Sequence, residues 1–111
     1  MSIKLILETC NELKFKKIKK QKADYIELVF FAEHLPKWTE TFTSLLGPPV
    51  KPAGKPPSGR DHRLTRELRG IRPDQTLYFN KIGDNPVLAM FWPWKDRLHI
   101  TLKVSIPATS E

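Results

Sequence analysis

Residues 97–106, RLHITLKVSI, alternate polar and apolar side chains without a break. Leu98, Ile100, Leu102, Val104 and Ile106 fall on one side of an extended chain, and Arg97, His99, Thr101, Lys103 and Ser105 on the other, because successive strand side chains point to opposite faces. A chain that ends on such a strand has to supply partner strands and a layer to cover the apolar side. Two partners stand just upstream. TLYFNKI (76–82) and VLAMFW (87–92) are joined through Gly83-Asp84-Asn85-Pro86, a strong turn signal. Trp94-Lys95-Asp96 makes the next turn, so the last third reads as a three-stranded antiparallel meander. In 87–92 both alternating sets are apolar, Val87, Ala89 and Phe91 against Leu88, Met90 and Trp92. A strand of that kind is covered on both faces. In FWPWKD (91–96), Pro93 has no N–H to donate and ends the ladder, which places Trp92 in the core and Trp94 at the rim.

The rest of the chain supplies candidates for the cover. YIELVFF (25–31) is rich in β-branched and aromatic residues and reads as a fourth strand. In PKWTETFTSLLG, Trp38, Phe42, Leu45 and Leu46 make one helical stripe. Pro36 suits the start of that helix and Gly47-Pro48-Pro49 its end. The spacing predicts a helix over 36–46 that covers one sheet face. For the other face the sequence offers the N-terminal segment, a second subunit or a ligand. Residues 3–13 fit a helix through Ile3, Ile6, Leu7, Cys10 and Leu13, and fit a strand less well through Ile3, Leu5 and Leu7. Six of the nine residues from Lys14 to Lys22 are lysine. They suit either the last turns of that helix or an edge strand blunted by charge. The expectation is an α+β domain: a mostly antiparallel sheet (strands about 25–31, 76–82, 87–92 and 97–106) with helices about 3–13 and 36–46 packed on it.

Between its halves the chain runs GPPVKPAGKPPSGR (47–60), with five of the ten prolines and three of the five glycines. No periodic structure survives that density, so a mobile loop over 47–59 is expected. The 111 residues otherwise suit one domain, 1–111. The single cysteine, Cys10, cannot make an internal disulfide and suits a reducing compartment. No apolar run approaches the roughly 20 residues that span a bilayer, and MSIKLILETC has too short an apolar core for a signal peptide. A cytoplasmic protein without a membrane span is expected.

From residue 25 the order is strand, helix, strand, strand, strand, with a helix that ends in Leu45-Leu46-Gly47. Over roughly residues 25–106 this resembles one βαβββ module of the glyoxalase/extradiol-dioxygenase (vicinal oxygen chelate) superfamily. The resemblance implies a metal-dependent small-molecule enzyme that pairs two modules, hence a dimer here. By strand position it implies Glu27 and His99 as metal ligands.

No motif fixes a reaction. His34, His62 and His99 lack the spacing of a local metal site, and there is no C-x-x-C or H-E-x-x-H. Ser58 has no G-x-S-x-G context. AGKPPSGR is not a phosphate loop, because Pro56 and Pro57 remove two of the backbone N–H groups that would cradle phosphate. The sequence therefore names no catalytic residue, metal site or cofactor. What stands out is charge. The net charge is +7, which favours an anionic partner: an acidic protein, a phosphorylated ligand or nucleic acid. Seven Lys or Arg lie between Gly47 and Arg72, opposed by Asp61 and Glu67. Lys51, Lys55, Arg60, Arg63, Arg66 and Arg69 are the candidate anion-binding residues, the arginines at every third position along a short helix that Asp61 would cap. Trp94 and Tyr78 are the candidate aromatic rim, placed to stack on bases. The functional expectation is a small cytoplasmic binding or regulatory domain that self-associates as a homodimer and engages an anionic partner. The chelate-type enzyme and a nucleic-acid-binding protein are the alternatives.

Overall fold

The computed structural model describes residues 2–106. The protein is α+β: one five-stranded antiparallel sheet with three helices packed on it. The helices are α1 (Ile3–Asn11), α2 (Leu35–Leu46) and α3 (Gly59–Leu64), and the strands are β1 (Lys17–Gln21), β2 (Tyr25–Phe31), β3 (Thr76–Ile82), β4 (Asn85–Pro93) and β5 (His99–Ser105). The spatial order is β1-β2-β5-β4-β3. β5, the strand with the unbroken alternation, sits at the centre, paired with β2 from Tyr25↔Ser105 to Phe31↔His99 and with β4 on its other side.

Local chemistry explains each element. The Ser2 hydroxyl accepts the Leu5 N–H at 3.2 Å and starts α1. Proline occupies the first turn of α2, and Gly47 (φ 82°) ends it, where the positive φ favours glycine. Asp61 does not cap α3. The cap is Ser58, whose hydroxyl accepts the Asp61 N–H while the Asp61 carboxylate accepts the Ser58 N–H. The lysine run resolves as an edge strand, β1, and α1 stops at Asn11. β5 begins at His99 because Asp96 Oδ1 accepts the N–H groups of Leu98 and His99 and holds the turn, with Arg97 at φ 61°. Leu98, placed by alternation on the apolar side, lies in that turn and is 64% exposed.

Both α1 and α2 cover the same face, hereafter the inner face. Ile3, Ile6, Cys10, Trp38, Phe42 and Leu46 pack with Ile26, Leu28, Phe30, Tyr78, Phe91 and Leu102 in one core. Over the β3–β4 side of the outer face the cover is not the N-terminal helix. It is the arginine-bearing segment itself, whose Leu68 and Ile71 close over Leu77, Leu88 and Met90, with Leu64, Phe79 and Trp92 packed alongside. Among the described residues the large uncovered apolar face that called for a homodimer is therefore not found. Among the described residues the exposed large apolar side chains are Leu5, Ile18, Phe31, Val50 and Leu98, spread over several elements.

The 47–60 stretch lacks a regular element before Gly59, yet it is tied down. Lys51 and Leu77 exchange both backbone hydrogen bonds, at 2.9 and 3.2 Å, and Gly54 N–H donates to Pro73. Among the described residues no helix is long and apolar enough to cross a membrane.

Candidate functional site

Alternation decides which side chains reach the outer face. Ile26, Leu28 and Phe30 point to the helices, so Tyr25, Glu27, Val29 and Phe31 point away, together with their ladder partners Ser105, Lys103, Thr101 and His99. The covering segment lies over the β3–β4 side and reaches β5 and β2 at Lys103 and Tyr25. The rest of the β1–β2–β5 half lies beyond it and mixes charged side chains with Val29 and aromatic rings.

At the edge of the cover sits Lys103, 5% exposed. Its ammonium donates to the Leu68 carbonyl at 3.1 Å and lies 3.3 Å from the Trp92 ring centroid, a cation–π contact. Burial pushes this amine down to about 8, against the pull of the Glu27 carboxylate and with Arg69 and Lys19 adding to the fall. Lys103 has three N–H donors, and the Leu68 carbonyl is its one hydrogen-bond partner among the described residues. Glu27, on the same rung of the ladder, accepts the Tyr25 hydroxyl at 2.7 Å and lies 3.9 Å from Lys19. Burial, then the bond to Glu27, raises the Tyr25 phenol well above its ordinary value. Lys103 lines a cavity of about 290 Å³ whose walls carry Lys20, Lys22 and Arg69, with Asp24, Glu27 and Glu67 as the acidic members. A cavity of about 510 Å³ beside it shares Glu67, Leu68 and Ser105 and is lined by Leu64, Phe79 and Leu88 under Arg63 and Arg66.

A β-bulge shapes the other border. Ile18 pairs with Leu28 and Lys20 with Glu27, so Lys19 is the extra residue. Without it, alternation would send Lys19 and Lys20 to opposite faces. With it, Lys17 and Lys20 follow Val29 and Glu27 to the outer face, and Lys19 reaches Glu27 and the Trp94 ring, 5.8 Å away, on that same face. Lys16 joins them, its ammonium 3.4 Å from His99 Nε2. Asp96 orients that histidine through a 2.6 Å contact to Nδ1, which turns Nε2 toward Lys16. The Leu98 N–H, and then the His99 ring, hold the Asp96 carboxyl below the usual carboxylate range.

Rings form a ribbon beside these lysines. Phe31, 37% exposed, lies 5.2 Å from His99, and His99 lies 4.7 Å from Trp94. Trp94 Nε1–H donates to Thr101 Oγ1 at 2.7 Å, and Thr101 is paired with Trp92. Arg72 lies 5.7 Å from the Trp92 ring.

The structure redistributes the residues singled out in the sequence. Lys51 is 1% exposed and donates to the carbonyls of Pro52, Pro73 and Gln75, so it is an internal brace and not open to an anion. Tyr78 is buried in the inner core and contacts Thr43, so it forms no rim. Trp94 is half-buried at the strand exit, while Trp92 is half-buried on the outer face and not in the inner core. Lys55, Arg60, Arg63, Arg66 and Arg69 are exposed, but they share no single helix. α3 stops at Leu64, a 3-10 turn spans Arg66–Leu68, and Arg69 takes φ 74°. Of the stripe, Arg69 alone lines the Lys103 cavity; Arg60 lies over Phe79 at 5.5 Å.

Glu27 and His99 share the outer face, but Glu27 pairs with Lys103 and His99 with Phe31. Four ladder steps, about 13 Å, separate them, too far for one metal ion. No three His, Cys, Asp or Glu side chains gather as metal ligands among the described residues. Cys10 is buried, which pushes its thiol up to about 12 and keeps it protonated at neutral pH. Sequence reasoning did not single out Lys103 as a candidate. Its one signal was a lysine in the middle of the central strand.

Compared with known proteins, the chain matches no family model, no curated protein and no solved structure.

Proposed function

We propose that this chain is a binding domain that takes an anionic partner on the open half of its outer sheet face, with Lys103 at the base of the site. One observation carries the reading. A buried ammonium is costly without partners, and Lys103 has one carbonyl and the Trp92 ring, at the base of a cavity whose walls add Lys20, Lys22 and Arg69 to Asp24, Glu27 and Glu67. A phosphate or carboxylate oxygen entering the cavity would supply the acceptors that its remaining N–H groups lack. The acidic members are partly engaged, since Glu27 is held by Tyr25 and Lys19. The site is complete within one chain, so this reading needs no second copy.

The test uses inorganic tripolyphosphate as the probe, with affinity and folding stability followed against pH. Binding requires the protonated amine. Affinity is expected to fall roughly tenfold or more as pH rises through about 8, the worth of one charge-assisted hydrogen bond. Lys103→Met should bind weakly and lose that step. Stability moves the opposite way. The folded amine sits near 8 and the unfolded one near 10.5, so between those values the unfolded chain binds more protons and stability rises with pH. Lys103→Met should flatten that rise too. The groups facing Lys103 are Tyr25 and Glu27 from β2, Lys19, Lys20, Lys22 and Asp24 from β1 and its turn, and Glu67 and Arg69 from the cover. Equal affinity of wild type and Lys103→Met at pH 7 would remove the reading.

A further inference from the structure

Resting on that reading, we infer that the anionic partner is a single-stranded nucleic acid, its phosphates on the lysines on and beside β1 and its bases on the rings of Phe31, His99 and Trp94. Three features of the outer face converge on this chemistry. The first is length. Lys16, Lys17, Lys19, Lys20 and Lys22 extend over six residue steps, about 20 Å of strand. A single phosphate group occupies one end of such a row; a chain of phosphates follows it. The bulge at Lys19 matters here, because it turns Lys19 and Lys20 to the same face.

The second feature is what lies beside the row. Phe31, His99 and Trp94 are in ring-to-ring contact, and Trp92 follows on the neighbouring rung. Every base has a π-face, so aromatic side chains beside a cationic track bind single strands with little regard to sequence. An acidic peptide would match the lysines and offer the ribbon nothing planar unless it carried aromatic residues of its own. A duplex keeps its bases stacked against one another and out of reach of the ribbon. The third feature is the far border. Arg72 over Trp92 places a cation on the opposite side of the ribbon from β1, and Arg69 joins Lys20 and Lys22 around the Lys103 cavity. A strand lying across the sheet would meet positive charge on both flanks.

The experiment is fluorescence titration of the full chain with oligo(dT) and an RNA of equal length, roughly ten nucleotides. A duplex of the same length and a heparin fragment are the comparators, all over a salt series. The single strands are expected to quench tryptophan emission and to bind at least tenfold more tightly than the duplex at matched salt. Trp94→Ala is expected to lose about tenfold or more on single strands and little on heparin. Trp94→Phe, which keeps a ring, should recover most of that loss, and Phe31→Ala at its exposed site should weaken single-strand binding without touching the tryptophans. Lys19→Gln with Lys20→Gln should lower the slope of log affinity against log salt by about 1 to 2. Equal affinity for single strand, duplex and heparin, unmoved by Trp94→Ala and Phe31→Ala, would overturn the nucleic-acid inference and leave the anion-binding face standing. No binding to any of these polyanions would overturn both.

Discussion

Trp38→Ala is expected to cost the fold roughly 3–5 kcal/mol, the usual range for emptying a buried aromatic site. Trp38 is fully buried and holds α2 to the sheet. Its ring stacks on Phe30 with centroids 4.4 Å apart and planes 14° from parallel, and Phe42 continues the contact at 6.4 Å. Phe91 then meets Phe30 and Phe42 edge-on. Truncation would strip one member from an aromatic cluster that joins α2 to β2 and β4, and the neighbours are too rigidly stacked to close the space. A second variant separates packing from polarity. The Trp38 Nε1–H is buried and has no hydrogen-bond partner among the described residues. Trp38→Phe removes that unpaired donor while keeping most of the ring, so it should cost less than about 2 kcal/mol. Urea unfolding of the two variants measures both numbers. A Trp38→Phe loss as large as that of Trp38→Ala would show that ring volume is not what the site requires.

Lys51→Ala is expected to cost on the order of 3 kcal/mol, although the substitution removes a lysine from a proline-rich loop. The ammonium gathers the carbonyls of Pro52, Pro73 and Gln75, which lie on two segments. Burial pulls the Lys51 amine below its ordinary value, against the attraction of Asp61 and Asp74. Without the ammonium, carbonyls at the base of the loop lose their donor, and the stem leaves a hole. The backbone link between Lys51 and Leu77 should loosen with it, so amide exchange at Lys51 and Leu77 should accelerate more than exchange at Phe30 or Leu102. A loss below about 1 kcal/mol, or uniform exchange rates across these four amides, would show that the brace is incidental.

These two residues also mark how far the sequence reaches. Trp38 announced itself through spacing: with Phe42, Leu45 and Leu46 it draws a stripe that only a helix can present to one core. Lys51 carried no such sign. A lysine among prolines and glycines has the pattern of a solvated loop, and its burial depends on carbonyls 22 and 24 residues further along the chain. Lys103 repeats the case. Alternation placed it on the polar side of β5, which is correct, but what that side faces was set by Leu68, 35 residues away.

The sheet itself was legible because periodicity is a property of neighbours in the chain. The β2, β3, β4 and β5 segments, the antiparallel meander and the helix from Leu35 to Leu46 follow from alternation, turn residues and one stripe. The lysine run left two readings open, since charge suits a helix end and an edge strand alike. Pairing with β2 chose between them. The bulge at Lys19 was invisible for the same reason: an extra residue in a ladder exists only when the partner strand is present to count against. The second cover of the sheet was the largest departure. Leu64, Leu68 and Ile71 lie among arginines, and so few apolar positions give no stripe that names their destination. Sequence alone determined which residues alternate and that β2 to β5 form. Tertiary structure decided which lysines are braces, which are rim and which lies at the base of a cavity, because the energy of a charge depends on the groups that surround it in space.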